Sequence, residues 1–231
     1  MSIEIRRVET KKDLKKFIAL PYDLYRGNKN WVPPMRMDEA DTHNRKKNPA
    51  FEKVDAEYWL AYKDGKLVGR VVGIKVHAEV EEWQLARFGW IDFIDDPEVS
   101  KALIETVENW AKEAGLKGIH GPMGFCDMDP NGMQIDGFDE YATMATIYHP
   151  EYAHKHIINL GYETDAEWLE FEGNLDIEFS EREFKRTEFL KERFGLKVVE
   201  LKKQKDIVPY SRDIFNLINK MFCIIYLNDL I

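Results

Sequence analysis

Residues 57–76 read EYWLAYKDGKLVGRVVGIKV, two runs rich in β-branched and aromatic residues joined by Lys63-Asp64-Gly65-Lys66. An Asp-Gly pair tolerates the positive φ that a tight hairpin turn demands, so Glu57–Tyr62 and Leu67–Val76 are predicted to pair antiparallel. Working outward toward the N-terminus, Ile3 and Ile5 alternate with polar residues like a half-buried strand. Lys11–Tyr25 then places Leu14, Phe17, Ile18, Pro21 and Leu24 near helical spacing, with Pro21 and Gly27 expected to kink or end the helix. Trp31–Pro49 reads as a long connection.

On the other side, Phe88–Ile94 is predicted as a strand that stops at Asp95-Asp96-Pro97, and Pro97 suits the first turn of a following helix. Val99, Leu103, Val107, Trp110 and Ala114 form the apolar stripe of that helix, and Gly115 ends it. Ile119 opens a short strand, Pro150–Leu160 reads as a helix, and Trp168–Phe171 is expected to close the domain as a last strand. This order predicts an α/β domain: a mixed, largely antiparallel sheet flanked by helices.

The chain has 231 residues, 44% of them hydrophobic and 13% aromatic, enough for one sizeable packed core. Its formal charge of −9 opposes the phosphate backbone, so no nucleic-acid partner is expected. The two cysteines, Cys126 and Cys223, are far apart and form no CxxC pair, which fits a reducing compartment. The N-terminus lacks an apolar leader and the sequence lacks an Asn-x-Ser/Thr acceptor, so a cytoplasmic location is expected. Ile214–Ile231 is the most apolar stretch, but Asn216, Asn219, Lys220, Asn228 and Asp229 interrupt it. It makes a poor membrane span and a candidate surface for self-association.

The tail carries an ungapped echo of the start. Ile3, Ile5, Val8, Asp13, Leu14, Phe17 and Leu24 align with Leu196, Val198, Leu201, Asp206, Ile207, Tyr210 and Leu217. Chance matching of amphipathic segments is the alternative. The division expected from it is a first domain at 1–175 and the start of a second, similar one at 176–231, with the chain truncated inside the second.

Residues 121–139 read GPMGFCDMDPNGMQIDGFD, a Gly-, Asp- and Pro-dense segment long enough to shape a site. Asp127–Gly132 matches the first half of a calcium-binding loop, but the twelfth position is Phe138 where a bidentate Glu is needed. A type I turn at Asp129-Pro130-Asn131-Gly132 is the better reading, and no metal is expected. His149, His154 and His156 do not share one helical face and read as solvated or capping residues. Cys126 is a candidate nucleophile without an identifiable partner, or a small buried residue. Asp92 stands among Phe88, Trp90, Ile91 and Phe93, where a carboxylate with a raised pKa would accept a proton from an amine; a hydrogen bond to a loop is the alternative. Trp31 and Arg36, with Phe125 and Asp127, are candidate substrate-binding residues, although Trp31 and the nearby prolines also suit packing against the sheet.

The order of elements, together with PYDLYRGNKNWVPPMR, KNPAF, DGKLVGRVVG, the 121–139 segment and YHPEYAHKHIINLGY, resembles the GNAT-like acyltransferases, in particular bacterial proteins with two such domains in tandem. The resemblance runs from about Pro21 to Tyr162. It implies transfer of an acyl group from acetyl-CoA or another acyl-CoA to a small-molecule or peptide amine. It also implies a donor held where two strands part, with its pyrophosphate at the start of the Pro97 helix, near Ile94, Asp96, Pro97, Glu98, Val99 and Ser100. Asp92 is then the base and Tyr148 the acid. Two departures stand out. The family's RxxGxG or RxxGxA phosphate loop is replaced by Asp95, Asp96 and Glu98, and its thiolate-protonating Tyr by Ile157. A non-catalytic ligand-binding or structural domain of the same fold is the competing expectation.

Overall fold

The computed structural model describes residues 2–126, 128–141, 147–173 and 180–228, apart from the side chains of Asn219 and of 222–228. Five strands form one sheet in the order β1 (Ile3–Arg7), β2 (Val54–Lys63), β3 (Lys66–Val76), β4 (Leu85–Phe93) and β5 (Gly118–His120). The first four pair antiparallel and β5 lies parallel to β4, so the expected mixed, largely antiparallel sheet is the one observed. At the β2–β3 turn Asp64 and Gly65 both take positive φ, 50° and 75°, which is why Asp-Gly makes this hairpin.

Two layers cover the sheet. On one side α4 (Pro97–Glu113) buries Val99, Leu103, Ile104 and Val107 against Val71, Phe88, Ile91 and Phe93, joined by Ala153 and Ile157 of α5 (Glu151–Asn159). On the other, α1 (Lys11–Leu24) buries Phe17 and Ile18 against Tyr58, Leu60, Val72, Ile74 and Trp90. Glycines let the layers close up. A Cβ on Gly73 would stand 2.9 Å from the Trp110 ring, and one on Gly69 2.8 Å from Leu103.

Several expectations change. Pro21 lies inside α1 and does not end it, because the carbonyl it leaves without a helical partner, that of Phe17, accepts a hydrogen bond from Arg70 Nη1 at 3.0 Å. The Trp31–Pro49 connection contains a short helix, α2 (Arg36–Thr42), and α3 (His77–Glu82) joins β3 to β4. No strand forms at Trp168–Phe171. Trp168, Leu169 and Phe171 are exposed there, outside the five-stranded sheet.

The described chain divides into two compact units, Met1–Glu167 and Trp168–Ile231. The second contains α6 (Glu181–Phe194), closed by a Ser180 capping box and by Gly195 at φ 61°, and α7 (Ser211–Asn228). The strand that the echo predicts at Leu196–Leu201 is absent, and a 3-10 helix occupies Gln204–Tyr210. Among the described residues, no helix is long and apolar enough to cross a membrane.

Candidate functional site

The site begins with an irregularity in β4. Arg70 pairs with Asp92 and Val72 with Gly89, so Trp90 and Ile91 together face Val71. This is a β-bulge, and Trp90 sits in it with φ 41°. β5 pairs with β4 only from Leu85 to Arg87, after which the chain turns at Gly121 and leaves the ladder. Met123 N–H then bonds the Phe88 carbonyl at 2.8 Å, and a Cβ on Gly89 would fall 2.1 Å from the Met123 carbonyl oxygen. Only glycine allows that approach.

Beside the bulge lies a buried polar cluster. Asp92 accepts from Arg70 Nε at 2.6 Å and from Tyr25 OH at 2.5 Å. Burial pushes the Asp92 pKa up, but the Arg70 charge, His149 and these hydrogen bonds outweigh it, so the carboxyl titrates below its usual range. The raised pKa expected from its aromatic neighbours is therefore corrected. Desolvation is the largest single effect, and it takes the guanidinium, His149 and the two hydrogen bonds together to overcome it. Tyr25, buried against that carboxylate, titrates well above the usual phenol.

His149 is also buried, not solvated. Its imidazole is held neutral chiefly by burial, opposed by Asp92 and by a hydrogen bond to the Ile91 backbone, and its Nδ1 has no partner among the described residues. Tyr148 stands next to it, edge-on to the Tyr25 ring at 5.3 Å, and its hydroxyl accepts from Asn28 Nδ2. Trp31 packs edge-on against Tyr22 and Tyr25, and Arg36 lies 4.1 Å above the Tyr22 ring. Sequence reasoning thus names Asp92, Tyr148, Trp31 and Arg36 around one wall, and misses Tyr25, Arg70, His149, Glu39 and His43. Apart from the exclusion of His149 from a metal site, nothing in local spacing marks these five.

Phe125 is 4% exposed, packed against Trp90, Phe51 and His43, so its ring belongs to the core. Asp127 lies outside the described residues. The turn expected at Asp129–Gly132 is displaced. Asp129 N–H bonds the Cys126 carbonyl, while Gly132 N–H reaches the Pro122 carbonyl at 2.7 Å. Asp129 Oδ2 accepts from the backbone of Phe125 and Cys126, and Asn131 Oδ1 from Gly124, so these oxygens fasten the loop to itself. Cys126 is exposed, contrary to the buried fate expected of it, and partial burial and Asp129 push its thiol pKa up.

The start of α4 is self-contained. Asp96 is its N-cap and accepts from Glu98 N–H at 3.0 Å, Val99 and Ser100 N–H bond the Asp96 carbonyl, and Pro97 has no N–H to offer. Lys63 pairs with Asp96 at 2.5 Å and with Glu98 at 3.5 Å. Ser100 Oγ lies 3.1 Å from His156 Nδ1, whose Nε2 is 3.0 Å from Asp95, and His156 stacks on Phe93. His156 is accordingly buried as a tie between α5 and the strand end, not a capping or solvated residue. Tyr152 OH adds a bond to the Phe93 carbonyl at 2.6 Å. As folded, this helix end fits its own carboxylate and does not fit a pyrophosphate. Ile94 is partly buried and Val99 fully so, both packed into the core.

Four antiparallel strands, a bulged fourth strand, a helix, and a short parallel fifth strand define the architecture. This is the mixed, largely antiparallel sheet flanked by helices that the resemblance to GNAT-like acyltransferases implies. The chain is 32% identical to Protein YghO of Escherichia coli (strain K12) over 220 residues, 92% of this chain and 55% of that protein. It is 31% identical to the bacterial ceramide synthase of Caulobacter vibrioides over 158 residues, 67% of this chain and 41% of that protein. The chain spans about half the length of these curated relatives. The structure of a ribosomal-protein-alanine N-acetyltransferase from Brucella melitensis biovar Abortus 2308 aligns with 75% of this chain and all of its own at 18% identity, with a TM-score of 0.46. No protein-family model matches the sequence.

Proposed function

We propose that this GNAT-like unit is an N-acyltransferase that moves an acyl group from a thioester, as in an acyl-CoA, to an amine. The observation carrying this reading is the end of the β4–β5 ladder beside the buried Asp92–Arg70–Tyr25–His149 cluster. Beyond its ladder with β5, β4 is met by single bonds from Met123 at Phe88, His149 at Ile91 and Tyr152 at Phe93, and an extended thioester substrate would have to lie over this stretch, where the cluster supplies fixed polar groups. In the transfer, the amine nitrogen attacks the thioester carbon, the C–N bond forms, the C–S bond breaks, and the thiolate leaves with a proton. A thioester brings its own reactivity, so the protein's share is to place the reactants and handle protons.

Within this reading Asp92 is the fixed charge that orients Arg70 and Tyr25, since both its oxygens are already bonded. Tyr148, whose hydroxyl accepts from Asn28, keeps a proton to give to the leaving sulfur. Trp31 and Arg36 border the acceptor side. One of the relatives is a ceramide synthase, and a ceramide is the amide of a long-chain amino alcohol. The acceptor we propose is accordingly a lipid amine.

The decisive assay mixes the purified chain with palmitoyl-CoA or acetyl-CoA and sphinganine, and follows free thiol and amide together. Amide formation supports the reading. Release of neither product, with no thermal shift from either CoA ester, sinks it. The self-capped start of α4 favours the second reading, a ligand-binding domain without turnover, and that reading predicts the negative result.

A further inference from the structure

We propose that Glu39 receives the acceptor, binding its ammonium group and taking its proton; this rests on the amine-acylating reading above. Two carboxylates of the described chain are buried, Asp92 and Glu39. Asp92 is saturated by Arg70 and Tyr25. Glu39, turned inward from α2, accepts no hydrogen bond from a described residue, and its nearest basic atom is His43 Nε2 at 3.9 Å. A buried carboxylate without a donor is costly, so the position calls for one.

The surroundings narrow what that donor is. His43 is 2% exposed and wedged edge-on against Phe17, Tyr58 and Trp90, with Nδ1 3.2 Å from Tyr58 OH. Burial and Arg70 hold its pKa down to about 3, so it stays neutral and is no counter-ion. Among the described residues its Nε2 has no hydrogen-bond partner, and neither has Nε1 of Trp90, whose ring centroid is 4.8 Å away. Arg70, the nearby guanidinium, is committed to Asp92 and to the Phe17 carbonyl. Glu39 and the unpartnered Nε2 of His43, which can accept when Nδ1 carries the proton toward Tyr58, therefore lie together with no cation of their own, and a protonated amine completes the set.

Trp90 is the bulge residue of β4, which puts this group beside the strand where the thioester is proposed to lie. Burial also raises the Glu39 pKa, opposed by Arg70 and reinforced by Asp92, Asp129 and Asp38, which makes the carboxylate a better proton acceptor than an exposed one. The balance is simple. R–NH3+ gives one proton to Glu39 and becomes the nucleophile, Tyr148 protonates the departing thiolate and takes up the second proton the nitrogen loses, and Glu39 returns its own to solvent.

The test is calorimetric titration of the full chain with n-octylamine, using n-octanol as the uncharged probe. The expected result is octylamine binding at least tenfold tighter than octanol, weakened at least tenfold in Glu39→Gln and unchanged in Glu52→Gln, a surface control. Glu39→Asp, which keeps the charge, should recover part of the affinity and guards against a folding artefact in the Gln variant. Failure of octylamine to bind the wild type, equal binding to Glu39→Gln, or no recovery in Glu39→Asp overturns the proposal. Turnover separates the two readings. Binding through Glu39 with no amide formed from any CoA ester removes the transferase and keeps this site, whereas undiminished kcat in Glu39→Gln removes Glu39 and keeps the transferase.

Discussion

Arg70 shows how one residue joins helix, sheet and site. Pro21 lacks an N–H, so the Phe17 carbonyl four residues earlier has no helical donor, and Arg70 of β3 fills that place while its Nε holds Asp92. Removing the guanidinium leaves Asp92 charged, buried and unpaired. Arg70→Leu is therefore expected to destabilise the fold by about 3–5 kcal/mol, read as a lower urea midpoint. A change below about 1 kcal/mol would show that water or Tyr25 compensates. His43 supplies a pH signature. Its folded pKa of about 3 lies below the unfolded 6.5, so the unfolded chain binds the extra proton and stability falls as pH drops from about 6.5 toward 3. The loss attributable to this group by pH 4.5 is about 2–3 kcal/mol. Asp92 has the same sign at lower pH: its contribution is present above about 3.9 and is lost as pH falls through its depressed folded value. Urea titrations of wild type and His43→Phe at pH 7 and 4.5 check this, and equal slopes in the two proteins would refute the assignment.

At the scale of elements, the start of α4 is where donor chemistry is decided. Asp96→Ser keeps an N-capping oxygen but removes the charge that pairs with Lys63. If an acyl-CoA docks its phosphates here, this variant should bind palmitoyl-CoA severalfold tighter in calorimetry, with little loss of helix stability. Weaker binding would place the phosphates elsewhere. Gly89→Ala tests the neighbouring element pair, because its Cβ would fall on the Met123 carbonyl. Backbone cannot yield as a side-chain tip does, so a loss of about 2 kcal/mol or more is expected, seen as a drop in Tm. The same elements show what the sequence makes legible. Asp64-Gly65 declares the hairpin through its φ requirement, and the stripe from Val99 to Val107 declares α4 through its period. Of the seven residues of α2, RMDEADT, only Met37 and Ala40 are apolar, both exposed, and the buried side chain is Glu39, so no apolar period announces the helix. The bulge at Trp90 depends on register with β3. The partners of Arg70 are 53 and 22 residues away, a juxtaposition only the closed sheet creates.

Across the whole molecule, the two units differ in how much apolar surface they bury. Met1–Glu167 contains both hydrophobic clusters. In Trp168–Ile231 the described apolar side chains are largely exposed, among them Phe184, Phe189, Phe194, Leu196 and Val198. The run Trp168–Phe171 that reads as a strand in the sequence forms none, and Trp168, Leu169 and Phe171 stay exposed. Cleavage requires a backbone that can open locally, and the apolar side chains of this segment are exposed rather than held in a core. Limited chymotrypsin digestion, which prefers aromatic and leucine sites, should cut first at Trp168, Leu169 or Phe171 and leave a resistant fragment carrying residues 1–167. Mass spectrometry of the earliest products decides the matter. First cuts within β2, β3 or β4, or equal resistance throughout, would mean that the units do not have separate stabilities. A resistant fragment that still binds octylamine would further place acceptor recognition in the first unit, where Glu39, His43 and Trp90 all lie.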